Sequence, residues 1–286
     1  MKKIRMIGLD LDGTLLREDK TLSTYSKEVI TEAIRRGIIV LVATGRPLSG
    51  IPKELREFPG MRYVLSANGA RIVDQQEKRI ISEELLSKET ARQVMNVLGK
   101  YDCMREIYYD GIGFAEERYV ERADEFFRNF NNPTMAAYIK KTRRTVNSIE
   151  KKLEEEERAL DKVQGIFLTI EEKNEAWKML EQIPGITITG ALKNNIEVGL
   201  GGVNKGMGLI RLGKILGISR EEIMACGDGM NDYDMINEVG FGVVMENGRE
   251  ELKAIADFVT KTNEEDGVAY AIEKYVLNHV TAEKGE

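Results

Sequence analysis

The sequence predicts an α/β protein, a parallel sheet flanked by helices with a second α/β segment inserted into it. Three observations carry this. Short apolar runs alternate with helical patterns over residues 1–82, and the same rhythm returns after about Gly201. Between them, over 83–200, the pattern changes. The apolar runs of the two outer parts also end in polar residues, and in open parallel sheets ligands bind at the carboxyl ends of the strands. Residues 1–82 and 201–286 therefore form one sheet domain, with 83–200 as the insert. Insertion at a loop is tolerated where the termini of the inserted part lie close together.

Ile4, Met6, Ile7 and Leu9 make the first run, of the kind a buried parallel strand shows. It ends in Asp10-Leu11-Asp12-Gly13-Thr14, where Asp-Gly signals a turn. Ser23 or Ser26 can cap a helix over 27–36, with Val29, Ile30, Ala33 and Ile34 as its apolar face and Gly37 just past its end. Residues 38–43 form a second strand, ending in Thr44-Gly45-Arg46-Pro47. A further helix precedes Pro59, and Tyr63 to Ser66 form a third strand that ends in Ala67-Asn68-Gly69. Residues 71–82 read as a hairpin with its turn at 74–78.

In the insert, 86–98, 116–130 and 173–182 carry helical patterns, while 106–114, 163–169 and 186–189 carry strand patterns. The charge-rich run 140–158 reads as one solvated helix with i,i+4 ion pairs. Beyond it, 205–216 is an amphipathic helix on Met207, Leu209, Ile210, Leu212 and Ile215. Residues 223–226 form a strand that ends in Gly227-Asp228-Gly229-Met230-Asn231-Asp232. Residues 241–244 and 258–260 complete the strands.

At 286 residues, two domains are expected. A net charge of −6 argues against nucleic-acid binding, which needs a basic footprint. Cys103 and Cys226 are the only cysteines, so neither a disulfide framework nor a zinc knuckle is available, and with His279 the only histidine, histidine-based triads and zinc sites are disfavoured. The start, Met1-Lys2-Lys3, is followed by an apolar run broken at Arg5 and Asp10, so it is neither a signal peptide nor a membrane span. The expected location is the cytoplasm.

Two carboxylates one residue apart at a strand end raise each other's pKa, and a divalent cation resolves that conflict. Neither acidic stretch is an EF-hand, because positions six and twelve hold Leu15 and Thr21 in one and Tyr233 and Val239 in the other. Lys205 lies between Asn204 and Gly206, so it does not belong to a P-loop. The strand ends bring together Asp10, Asp12, Thr44, Lys205, Asp228, Asn231 and Asp232. Carboxylates for a metal, with a hydroxyl and an ammonium for an anion, suit phosphoryl transfer. A carboxylate about 4 Å from a dianionic phosphate is repelled by roughly 8 kcal/mol at an effective dielectric of 20, so a cation and Lys205 must offset that repulsion.

In this order the four segments resemble the haloacid dehalogenase superfamily of phosphohydrolases. Asp10-Leu11-Asp12-Gly13-Thr14 is similar to its first motif, Thr44-Gly45-Arg46 to the second, Lys205 to the third, and Gly227 to Asp232 to the fourth. The place of the insert is similar to that of the Cof-type subfamily, with a large α/β cap of type IIB. The resemblance implies a Rossmann-like core in which Asp10 is the nucleophile and Asp12 the acid and base. It places Mg²⁺ on the Asp10 carboxylate, the Asp12 carbonyl and the Asp228 carboxylate, with Asp232 at or next to the ion. Thr44, Lys205, Asn231 and backbone amides near Leu11 and Gly45 are implied to hold the phosphate. The cap is implied to close over the site and choose the leaving group.

The expected function is Mg²⁺-dependent hydrolysis of small phosphorylated metabolites such as sugar phosphates. The expected protein is a monomer or weak homo-oligomer with no nucleic-acid or membrane partner. A phosphomutase and a non-catalytic phospho-ligand sensor remain as alternatives.

Overall fold

In the computed structural model, which describes residues 3–278, the strand Met6–Leu9 is buried along its whole length. It lies between two parallel partners, Ile39–Ala43 and Ile223–Gly227. A strand covered on both edges and both faces has no place for a polar side chain, which is why this segment is an unbroken apolar run. The full sheet has eight strands in the order Phe258–Val259, Phe241–Val244, Ile223–Gly227, Met6–Leu9, Ile39–Ala43, Tyr63–Ser66, Arg71–Asp74 and Arg79–Glu83. The first six run parallel to their neighbours, and Tyr63–Ser66 pairs antiparallel with Arg71–Asp74.

Local chemistry sets the helices that cover this sheet. Ser23 accepts the Ser26 N–H at 2.9 Å, so the first helix begins at Thr24, earlier than the 27–36 pattern suggests, and runs to Arg35. Asn204 accepts the Met207 N–H at 2.8 Å and starts the helix Lys205–Ile215. Leu209 and Leu212 of that helix pack on Met6, Leu41, Ala43, Leu65, Ile223 and Ala225. Full burial of each such side chain contributes roughly 1.5–3 kcal/mol.

A second sheet has six strands in the order Ile186–Thr189, Asn195–Leu200, Lys162–Ile166, Met104–Tyr109, Ile112–Glu116 and Arg144–Val146. Its pairings are antiparallel except the last. Ile107, Val163, Ile196 and Val198 share a core with Val94, Leu98, Leu153, Ala176 and Leu180.

Three expectations for this part need correction, and one strand is added. Residues 106–114 are not one strand. Asp110 and Gly111, with φ of 51° and 71°, turn the chain between two strands. The run 140–158 is not one helix. It contains the end of the helix Pro133–Thr142, the edge strand Arg144–Val146 and the helix Ile149–Glu155, which Ser148 starts by accepting the Lys151 N–H. The pattern over 116–130 is two short helices, Glu117–Glu121 and Ala123–Arg128, separated at Arg122. Asn195–Leu200 is a strand that the sequence pattern did not suggest.

By their contacts the residues divide into two units. One comprises residues up to 45, 52–82 and those from 204 onward, and the other comprises 46–51 and 83–203. Arg46–Ile51, expected in the first part, belongs with the second. There the Ser49 N–H and hydroxyl both donate to the Gly111 carbonyl, at 3.3 and 2.5 Å. His279 and the Met1-Lys2 start lie outside the described residues. No described helix is long and apolar enough to cross a membrane.

Candidate active site

Register places the polar strand ends side by side. Leu9 pairs with Cys226 on one side and Val42 on the other, so Asp10, Gly227-Asp228 and Ala43-Thr44 leave the sheet along one edge. The Asp10 N–H continues the ladder for one more residue, donating to the Cys226 carbonyl at 3.0 Å. The chain then folds back. Leu15 and Leu16 donate their N–H groups to the Asp10 and Leu11 carbonyls at 3.2 and 2.8 Å. This loop requires glycine at position 13, where φ is +85° and a Cβ would stand 2.4 Å from Asp228 Oδ2. Thr14 donates its hydroxyl to Asp228 Oδ1 at 2.6 Å, tying the first loop to the Asp228 loop.

Lys205 is fully buried. Its Nζ donates to Asp10 Oδ1 and to Asp232 Oδ1, each at 2.6 Å. Burying an ammonium costs several kcal/mol unless it is paired and hydrogen-bonded, and these two carboxylates supply both. Burial opposes the charge on Lys205, but Asp10 and Asp232 outweigh it and hold the ammonium more firmly protonated than an ordinary lysine. Asp232 also accepts the N–H groups of Asp228 and Gly229 on Oδ2, both at 3.0 Å.

One cation faces three carboxylates, and the balance is negative. Asp10, Asp228 and Asp232 each bring an oxygen to within 4.8 Å of the others. Each such pair of charges repels by about 3 kcal/mol at an effective dielectric of 20. Burial pushes the Asp10 carboxyl well above the usual range; Lys205 opposes this, and Asp232 and Asp228 add to it. Burial, followed by Asp232, pushes Asp228 up to about 7. This donor set fits a hard divalent cation, which takes oxygen ligands and would relieve the repulsion. Asp10 and Asp228 each give only Oδ1 to a donor, so they suit direct coordination. Both oxygens of Asp232 already accept N–H groups, which suits a place behind them.

The remaining residues named from the sequence make other contacts. The Asp12 carboxylate is half-exposed and accepts the Lys20 ammonium on Oδ1 at 2.8 Å. Thr44 is buried at the end of its strand and donates its N–H to the Leu65 carbonyl at 2.9 Å, with Gly45 next to it. The Leu11 carbonyl is engaged by the loop, as described above. Asn231 folds back so that its Oδ1 lies 2.7 Å from where a Gly229 Cβ would be.

Three contacts were not foreseen. Thr14 lies inside a quoted motif, and its hydroxyl was the available signal. Lys20, on Asp12, and Asn247, which donates to the Gly13 carbonyl at 2.8 Å, carry no local pattern.

A sequence profile of the haloacid dehalogenase-like hydrolases matches residues 7–272. A Bacillus subtilis phosphatase, YwpJ, is 31% identical over 96% of this chain and 100% of its own length. A second B. subtilis protein, the 5-amino-6-(5-phospho-D-ribitylamino)uracil phosphatase YcsE, is 29% identical over 96% of each chain. Among solved structures, a subclass IIB sugar phosphatase superposes with a TM-score of 0.81 over 95% of this chain and 98% of its own, at 23% identity, a likeness of fold.

Proposed function

The chain belongs to the haloacid dehalogenase-like hydrolases as a Cof-type phosphoric monoester hydrolase, and on that premise we propose a Mg²⁺-dependent phosphatase for small phosphorylated metabolites, sugar phosphates among them, acting through an aspartyl-phosphate on Asp10. The observation that carries the proposal is the buried Lys205, bound to Asp10 and Asp232 beside Asp228. Excess negative charge at a largely buried site is costly to maintain unless it serves to bind a cation.

In this reading Lys205 fixes Asp10 through Oδ1 and leaves Oδ2 to attack phosphorus. The P–O bond to the leaving group breaks as the Oδ2–P bond forms, and Asp12 gives its proton to the departing oxygen. Asp12 then takes a proton from water as that water attacks phosphorus, and Asp10 is released as a carboxylate. Lys205, Thr44, Asn231 and the backbone amides near Leu11 and Gly45 hold the phosphoryl oxygens. The Asp10 and Asp228 carboxylates and the Asp12 carbonyl, with Asp232 behind them, would hold Mg²⁺, which would supply charge neutralisation. Residues 83–200, as a cap, are assigned the choice of leaving group.

The test is phosphate release from p-nitrophenyl phosphate and a panel of phosphorylated metabolites. The panel includes 5-amino-6-(5-phospho-D-ribitylamino)uracil, the compound named for one relative. Turnover should require added Mg²⁺ after metal stripping. Full activity in excess chelator would refute the metal assignment, and transfer to a sugar hydroxyl in place of water would favour a phosphomutase.

A further inference from the structure

The hairpin that follows the strand Tyr63–Ser66 contains Ala67, Asn68 and Gly69, with φ of 49°, 54° and 100°. Three successive left-handed residues, two of them not glycine, are unusual, and all three are buried. Strain of this kind persists where the surroundings over-determine it, and it clusters at functional sites. Two contacts supply that determination here.

The Asn68 N–H donates to the Thr44 carbonyl at 3.0 Å, while the Thr44 N–H donates to Leu65 at 2.9 Å. The peptides on both sides of Thr44 are therefore bound to this hairpin. A Cβ on Gly69 would stand 2.4 Å from the carbonyl oxygen of Asn204, the residue that caps the helix beginning at Lys205. One turn abuts the backbone of the hydroxyl-bearing residue and the seat of the ammonium-bearing one.

We propose that the Ala67-Asn68-Gly69 turn is a positioning element of the phosphate site. It sets the separation of Thr44 and Lys205 through its backbone, with Asn68 as an N–H donor and Gly69 as the point of close approach. The proposal rests on the phosphatase reading for what Thr44 and Lys205 hold. Its action is through those two residues and not through contact with substrate.

The experiment measures tungstate affinity by calorimetry, KM and kcat for p-nitrophenyl phosphate, the Mg²⁺ half-saturation point and the melting temperature. Asn68→Gly keeps the N–H and accepts the left-handed conformation, so affinity and KM should stay within about threefold of the native protein. Gly69→Ala should raise the tungstate Kd and KM by about tenfold or more, with the Mg²⁺ requirement unchanged within about twofold. A Gly69→Ala protein that melts earlier but binds tungstate normally would overturn the proposal, since the turn would then only support the fold. A tenfold fall in kcat for Asn68→Gly at unchanged KM would also overturn it, by giving the carboxamide itself the role.

If Gly69→Ala yields no folded protein, Asn68→Val decides. Its β-branched side chain resists positive φ, so its tungstate affinity should fall about fivefold or more below that of Asn68→Gly. Equal affinity would overturn the proposal. Native protein that binds tungstate but turns over no phosphate ester would end the phosphatase reading and leave this test in force. Native protein that binds no tungstate would end both.

Discussion

Both units bury charged side chains, but they balance them differently. In the inserted unit two buried pairs match a cation to a carboxylate: Arg143 donates to Glu106 at 2.8 Å and Lys162 pairs with Glu197 at 2.8 Å. Arg143 also lies over the rings of Tyr108 and Tyr138. Although burial works against its charge, Glu106 holds the guanidinium more firmly protonated than usual. In the sheet unit, among the described residues, Lys205 faces Asp10, Asp228 and Asp232, three carboxylates to one ammonium. Evenly paired buried charges are a finished scaffold. An excess of carboxylates over cations is what the proposed metal would offset, and it distinguishes this cluster from the paired charges of the inserted unit.

The largest effect expected is on the side in excess. Asp10→Asn removes the proposed nucleophile, so turnover should fall on the order of 10⁴–10⁶-fold with no acid-stable phosphoprotein. Asp12→Asn should cost on the order of 10²–10⁴ and spare the first step with a nitrophenolate leaving group, which needs little help from an acid. Rapid-quench labelling should then show a burst of product and label on Asp10 in the Asp12 variant. Equal label in both variants would end the covalent mechanism.

Next comes stability, where the two units should respond with opposite signs. Glu106→Gln strands Arg143 without its carboxylate and should destabilise the protein by about 3–5 kcal/mol. Asp228→Asn relieves repulsion and should stabilise the metal-free protein at pH 8 by about 1–4 kcal/mol, while raising the Mg²⁺ needed for half-maximal rate by about tenfold or more. Denaturant melts of the two variants check this. Loss of stability in both would remove the distinction between the units.

A smaller effect follows from the same charge excess. The Asp228 carboxyl titrates at about 7 in the folded protein against an ordinary value of 3.8. Between those values the folded state holds a proton that the unfolded state has lost, so metal-free stability falls as pH rises through this window and stays low above it. A cation reverses the penalty. The rise in melting temperature caused by Mg²⁺ should therefore grow from pH 5 to pH 8, and a constant increment would contradict the assignment. The smallest effect is expected at the exposed Lys20–Asp12 pair, where Lys20→Met should change stability by less than about 1 kcal/mol in the same melts.

The sequence is most informative where one short segment carries both an element and its chemistry. The strands 63–66, 186–189 and 241–244 were placed residue for residue, since each is a compact apolar or β-branched run. Asp10, Asp228 and Asp232 meet because parallel strands deliver their ends to one edge, and Lys205 joins them from the start of the helix that Asn204 caps. Asn195–Leu200 was overlooked for a physical reason. Its alternate residues Asn195 and Glu197 are polar yet buried, so half of its period looked like surface. The turn at Asp110-Gly111 is encoded by residues that accept positive φ, but the apolar residues on both sides mask it in the pattern. Lys20 on Asp12 and Asn247 on Gly13 depend on chain segments meeting in space, and no local pattern encodes that.

The pairing of Met6–Leu9 with Ile223–Gly227 has a consequence for how the protein comes to be made. Asp10 leaves the ribosome early and Asp228 late, and the loop between them spans most of the chain. Closing it is the slow, high-contact-order event of folding. The inserted sheet pairs only segments within 104–200 and can close well before. A nascent chain therefore carries Asp10 beside an open strand edge, without Asp228 and Asp232 to complete the proposed cation site. Catalytic competence arrives only with the last third of the polypeptide, so truncated products should be silent and not merely weak.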